Sequence, residues 1–121
     1  MRPILCTMAL TMIASCGAVD PNFEVNRCED VTTTHCVEIA VENAQELLVT
    51  VNSMMDDTTV ILGKGVFAYD NQVTIRGVSG ITLMGQGMDA TFLDFADQET
   101  QTNGVDVVSD NFLIQDLTVQ N

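Results

Sequence analysis

Gly85-Gln86-Gly87-Met88-Asp89-Ala90 follows an apolar run and fits G-x-G-x-x-A, the spacing that holds a dinucleotide pyrophosphate on a helix N-terminus. That chemistry needs a helix next. The adjoining residues, Thr91-Phe92-Leu93-Asp94-Phe95, are β-branched and aromatic, so the six residues read as a turn between strands with glycines free to take positive φ. Acid–base or metal chemistry built on histidine is equally short of parts, because His35 is the only histidine and reads as a solvent-facing loop residue. Arg76 and Lys64 are the only cations in the strand-rich region, and Arg76, at a strand end, reads as a turn residue. Carboxylates are plentiful: Asp89, Asp94, Asp97, Glu99, Asp106, Asp110 and Asp116 crowd the last third. Such acids are by default a solvated surface. Hydrolysis of a glycoside needs two of them at a set separation, and too many pairs are available to nominate one.

With 17 Asp+Glu against 4 Lys+Arg, the 121-residue chain carries a net charge of −13. This argues against nucleic-acid binding, which depends on cations facing phosphates. A hydrophobic fraction of 46% supplies material for the core of one small domain. Arg2, the apolar run Ile4 to Ile13, and Ala14-Ser15 have the order of a secretory signal, and the run is too short for a membrane helix. Ile13-Ala14-Ser15-Cys16 resembles a bacterial lipobox. That resemblance implies a signal peptide over 1–15, cleavage that leaves Cys16 as a lipid-bearing N-terminus, and, with Gly17 rather than Asp next, passage to the outer membrane or cell surface. The alternative is an ordinary signal peptide cut nearby, with Cys16 incidental. Cys6 leaves with the signal on either reading. Cys28 and Cys36 then remain, eight apart, and export favours their disulfide. A metal site of Cys28, Cys36 and His35 is the weaker rival, lacking a fourth ligand nearby.

The elements follow from periodicity. Residues 16–38 read as a tether and disulfide loop. In 39–57, apolar residues at 41, 44, 47/48, 51 and 54/55 predict an amphipathic helix over about 40–55. From 58 to 121 the pattern is short β-rich runs between turn formers: Thr59–Leu62, Val66–Ala68, Gln72–Ile75, Ile81–Met84, Thr91–Phe95, Gly104–Val108, Phe112–Gln115 and Leu117–Gln120. Val60-Ile61-Leu62, Ile81-Thr82-Leu83 and Phe112-Leu113-Ile114 repeat at separations of 21 and 31 residues, and Val73-Thr74-Ile75 repeats as Val105-Asp106-Val107 after 32. Repeats of this length built from short strands indicate an all-β solenoid. Alternation puts Ile75, Leu93, Phe95, Val107, Leu117 and Val119 inside and Thr74 and Asp106 outside; at 66–68 either Phe67 or the pair Val66 and Ala68 turns inward, Phe67 being preferred. It predicts stacks of Leu62 on Leu83 on Ile114, and of Ile75 on Val107.

The runs Thr58-Thr59-Val60-Ile61-Leu62-Gly63-Lys64-Gly65-Val66-Phe67 and Val73 to Gly87 resemble right-handed parallel β-helix proteins of the pectate-lyase-like type, in particular bacterial β-helix lipoproteins. Lys64 stands where a proline is usual. The resemblance covers about 40–121 and implies a right-handed parallel β-helix of about three coils, plugged by an N-terminal α-helix. It implies a protein that binds or processes polysaccharide at the cell envelope, as a lyase or glycoside-hydrolase-like enzyme if it is one. It also implies calcium on outer strand faces, for which Asp94, Asp106 and Asp116, with Arg76 as an anion contact, are the candidates. No catalytic residue can be named, and this segment itself is expected to be non-catalytic. The competing expectation is a structural or adhesive surface solenoid without enzymatic activity. Leu117 to Asn121 stops directly after a strand with no cap, so the sequence reads as an N-terminal piece of a longer product or as a unit completed by a partner. Self-association through that open coil is expected.

Overall fold

A computed structural model of the chain describes residues 20–98 and 104–120; the signal peptide expected over 1–15, the expected lipid acceptor Cys16, and Glu99 lie outside the described residues. The strands are β1 (His35–Ile39), β2 (Thr58–Leu62), β3 (Gly65–Ala68), β4 (Val73–Arg76), β5 (Ile81–Met84), β6 (Thr91–Asp94), β7 (Val105–Val108), β8 (Phe112–Gln115) and β9 (Thr118–Gln120). They form three sheets, ordered β1-β2-β5-β8, β3-β6-β9 and β4-β7, and every pairing among them is parallel. From β2 onward successive strands visit the three sheets in turn, and none of the sheets closes on itself. The protein is therefore mostly parallel β-structure with little helix.

Left-handed residues set the register of the first sheet. Asp57, Gly80 and Asn111 have φ of 61°, 71° and 57°, and each immediately precedes β2, β5 or β8. Asp57 N–H donates to Ser79 O and Gly80 N–H to Asp110 O, so these turns stack directly on one another. Glycine, Asn and Asp tolerate this conformation best, which selects those positions. The resulting row is Val60, Leu83, Ile114. The expected stack through Leu62 is thus displaced by two residues, and Leu62 lies opposite Ile39 instead. A shift of two preserves the buried face, so alternation alone could not detect it. The expected Ile75–Val107 pair is present, and Phe67, Leu93 and Val119 align in the second sheet.

The inward rows meet in one core of Val60, Leu62, Phe67, Val73, Ile75, Ile81, Leu83 and Leu93, joined by Tyr69 and Phe95, whose ring centroids are 5.8 Å apart. The helix expected over 40–55 is shorter: a 3-10 turn, Val41–Asn43, precedes α1 (Glu46–Ser53). No side chain caps the start of α1, and Met54 turns extended at its end. Its buried residues Leu47 and Val51, one helical turn apart, pack with α1 on β4. The buried phenol of Tyr69 donates to Ala44 O at 2.7 Å, and burial pushes its pKa above the usual tyrosine range.

Two features differ from the expected tether over 16–38. Its end is β1, so His35 and Cys36 are partly buried strand residues rather than loop residues. Cys28 and Cys36 are disulfide-bonded, the pairing the sequence favours, which leaves neither thiolate for a metal. Residues 20–31 then lie across the outer face of the first sheet. Phe23 packs on Ile61 and Met84, which point away from the main core, and Thr33 Oγ1 meets Thr59 Oγ1 at 2.7 Å. This is why β2 is buried along its whole length although alternation predicts one open face.

Asp57 ties the segment before β1 to this stack. Its carboxylate accepts bonds from the Thr34 hydroxyl and from Thr34 N–H, which hold its pKa below the ordinary value of 3.8. A depressed folded pKa contributes stability that is present above the unfolded value and lost as pH falls through the folded one. Denaturation midpoints should therefore fall below about pH 4 less steeply in Asp57→Asn, which keeps a residue tolerant of positive φ. Identical acid limbs in the two proteins would contradict this.

Candidate functional site

The second sheet presents the only broad outer face that couples an aromatic ring to hydrogen-bonding side chains among the described residues. Phe67, Leu93 and Val119 turn inward, so their neighbours must turn outward. Register places Val66, Phe92 and Thr118 in one outward row and Ala68, Asp94 and Gln120 in the next. Rows on adjacent parallel strands lie about 4.8 Å apart. Val66 is half exposed and Phe92 partly so.

Polar atoms are held around the ring. Asp94 Oδ1 accepts from Ala96 N–H at 2.9 Å, and Oδ2 accepts from Gln120 Nε2 at 3.3 Å. The Thr118 hydroxyl donates to Met88 O at 2.7 Å. The turn before β6 sets this strand's position: Ala90 N–H and Thr91 N–H both donate to Gly87 O, and Gly87 has a φ of 144°. The G-x-G-x-x-A run is therefore a turn into a strand, as its β-branched continuation predicts, and it offers no helix for a pyrophosphate. A Cβ at Gly85 would lie 2.6 Å from Asp116 O and 2.6 Å from Thr91 Cβ.

The face can stack the apolar side of a flat ligand on Phe92 while Asp94 and Gln120 exchange hydrogen bonds with its hydroxyls. Asp94 is the only ionisable group in the two rows. Glycoside hydrolysis by paired carboxylates is not assembled there.

The other residues singled out by the sequence go elsewhere. Arg76 and Asp106 point outward from β4 and β7 and form an ion pair, Nη2 to Oδ2, at 2.6 Å. The guanidinium thus already has a carboxylate partner, and Gln72 Nε2 donates to Thr74 Oγ1 beside it. Asp116, after β8, has a φ of 59° and accepts from Asn26 Nδ2 at 3.0 Å, a tie to the N-terminal segment. Asp94, Asp106 and Asp116 therefore sit on three different sheets and turns. No group of three or more His, Cys, Asp or Glu among the described residues could hold a metal ion. A shallow cleft of about 450 Å³ opens at the turns, lined by Asp56, Ser79, Ser109 and Asp110 among others. Asp56 Oδ1 accepts from Ser79 N–H, and Ser109 Oγ donates to Val78 O, so turn contacts engage Asp56, Ser79 and Ser109.

Phe92 was legible as an outward residue because Leu93 and Phe95, one and three residues further on, turn inward, but nothing local showed that Asp94 and Gln120 would share its face. Among the described residues no helix is long and apolar enough to cross a membrane. No protein-family model, no curated protein and no solved structure matches the chain.

Proposed function

We propose that the chain is a right-handed parallel β-helix of an exported, lipid-anchored cell-envelope protein, and that this segment contacts carbohydrate without catalysing a reaction. Three parallel sheets visited in rotation support the coil, and parallel crossovers are right-handed in nearly all proteins. The observation that carries the functional reading is the outward row of Val66, Phe92 and Thr118 beside Asp94 and Gln120. Its ligand is a neutral polysaccharide. An acidic polymer is repelled by a net charge of −13 unless a hard cation such as calcium bridges the two.

Titration of the purified chain with neutral glucans and with polygalacturonate, with and without calcium, tests this. Neutral chains should bind weakly, with Phe92→Ala weakening them at least tenfold, and no unsaturated uronate product should accumulate. Binding that ignores Phe92, or measurable lyase product, would sink the reading.

A structural or adhesive solenoid is the second reading, favoured by β7, β8 and β9 each standing at the edge of its sheet among the described residues, with Leu113, Ile114 and Val119 exposed there. Unpaired parallel edges template association. That reading expects sedimentation coefficients that rise with protein concentration, and a constant monomer value contradicts it.

A further inference from the structure

The chain enters the fold at a single corner. Asp20 Oδ1 accepts from Asn22 N–H, Phe23 is buried on Ile61 and Met84, and Lys64 N–H donates to Asn22 O at 3.0 Å. Lys64 Nζ pairs with Glu24 at 2.7 Å. Gln86 Oε1 accepts from Val25 N–H and Asn26 N–H at 2.9 and 3.0 Å. These contacts lie where β2 and β5 end. The left-handed turns at Asp57, Gly80 and Asn111 lie at the opposite ends of the same strands.

Two of the most exposed large apolar side chains occupy that corner. Val25 is 59% exposed and Met88 68%; Val25 is held by the Gln86 clamp, and Met88 stands two residues after Gln86 in the chain. Cys16 lies four residues before Asp20. Four residues span at most about 14 Å, whereas a domain of this size is about 33 Å across, some 2.6 times its radius of gyration. A lipid on Cys16 therefore keeps the Asp20 corner within about 14 Å of the bilayer, less than half the width of the domain.

We infer that the corner bearing Val25, Met88 and Lys64 seats in the membrane interface, with β2 and β5 pointing towards the bilayer and the Asp57, Gly80 and Asn111 turns facing away. The inference rests on the lipid-anchor reading of Cys16. Arg27 and Lys64, two of the three cations after Cys16, are already paired with Asp30 and Glu24. The contact is accordingly apolar and independent of anionic lipid.

The chain contains no tryptophan, so single substitutions report position without background. Val25→Trp, Met88→Trp and Val108→Trp are made in the full chain, exported from its own leader, purified and reconstituted into phosphatidylcholine vesicles with brominated acyl chains. Val108 is exposed and adjoins the far turns. The expected result is at least twofold quenching at 25 and 88 with a blue-shifted emission, and no quenching at 108. Equal or stronger quenching at 108 overturns the orientation. Mass measurement and vesicle flotation, with Cys16→Ser as control, separate the two failures. A chain without lipid, or flotation unaffected by Cys16→Ser, removes the anchor and the inference with it. A lipidated, floating chain that stays unquenched at 25 and 88 removes the inference alone.

Discussion

Gln86→Ala is expected to destabilise the protein by about 3 kcal/mol and to release the N-terminal segment from the first sheet. Gln86 is only 3% exposed, yet all its amide valences are used. Its oxygen accepts two backbone N–H groups, from Val25 and Asn26, and its nitrogen donates to Asn26 O at 2.9 Å and Leu62 O at 3.2 Å. Alanine leaves four backbone groups without partners. An unsatisfied buried group costs about 1–3 kcal/mol, and some of the four regain water as the segment lifts, so the cost stays well below the sum. Urea denaturation gives the stability change. Limited proteolysis gives its location, because cleavage within 20–31 should accelerate before cleavage anywhere in β2 to β6. A loss under about 1 kcal/mol with the segment still protected would falsify the clamp.

Phe67→Ala should cost about 3–5 kcal/mol, the range for emptying a buried aromatic site. Phe67 is fully buried beneath Leu93 and beside the Tyr69–Phe95 ring pair. A domain of this size loses roughly 4–8 °C of Tm per kcal/mol, so the melting temperature should drop by at least about 12 °C. Position within the row decides the size of the effect. Val119 occupies the same row on β9 but is 46% exposed, so Val119→Ala should cost under about 1 kcal/mol. Thermal melts of Phe67→Ala, Leu93→Ala and Val119→Ala should fall in that order of severity. Equal losses at 67 and 119 would mean that the row is covered evenly along its length.

The contrast between Gln86 and Phe67 marks the boundary of what local pattern can reveal. Phe67 was legible as the preferred inward residue of its strand, with Val66 and Ala68 the alternative, and its row with Leu93 and Val119 selects it. Gln86 was legible only as the polar residue between two turn glycines. Its partners Val25 and Asn26 are about 60 residues away in the chain. No periodicity links such positions.

The candidate site divides the same way. Asp106 was recognised as an outward group and Arg76 as a turn residue, but their pairing at 2.6 Å depends on β4 and β7 being neighbours in one register. Asp94 and Asp116 were weighed together as carboxylates. They separate because one ends β6, on the aromatic face, and the other sits in the turn after β8, bound to Asn26.

Sequence by itself determined the places of the strands from β2 onward, the turns between them, the disulfide partners, and which side chains of β4 and β6 face the core. These are local matters: alternation has a period of two, and Gly, Asn and Asp mark backbone that other residues avoid. Tertiary structure alone decided three things. Stacked left-handed turns chose the register of β2 on β5, since a slip of two residues leaves every side chain on its original face. An available edge on β2 made a strand of His35–Ile39, whose few alternating residues form none without a partner. And the N-terminal segment closed the outer face over Ile61 and Met84, because Phe23 and Gln86 meet there only after the chain has folded back on itself.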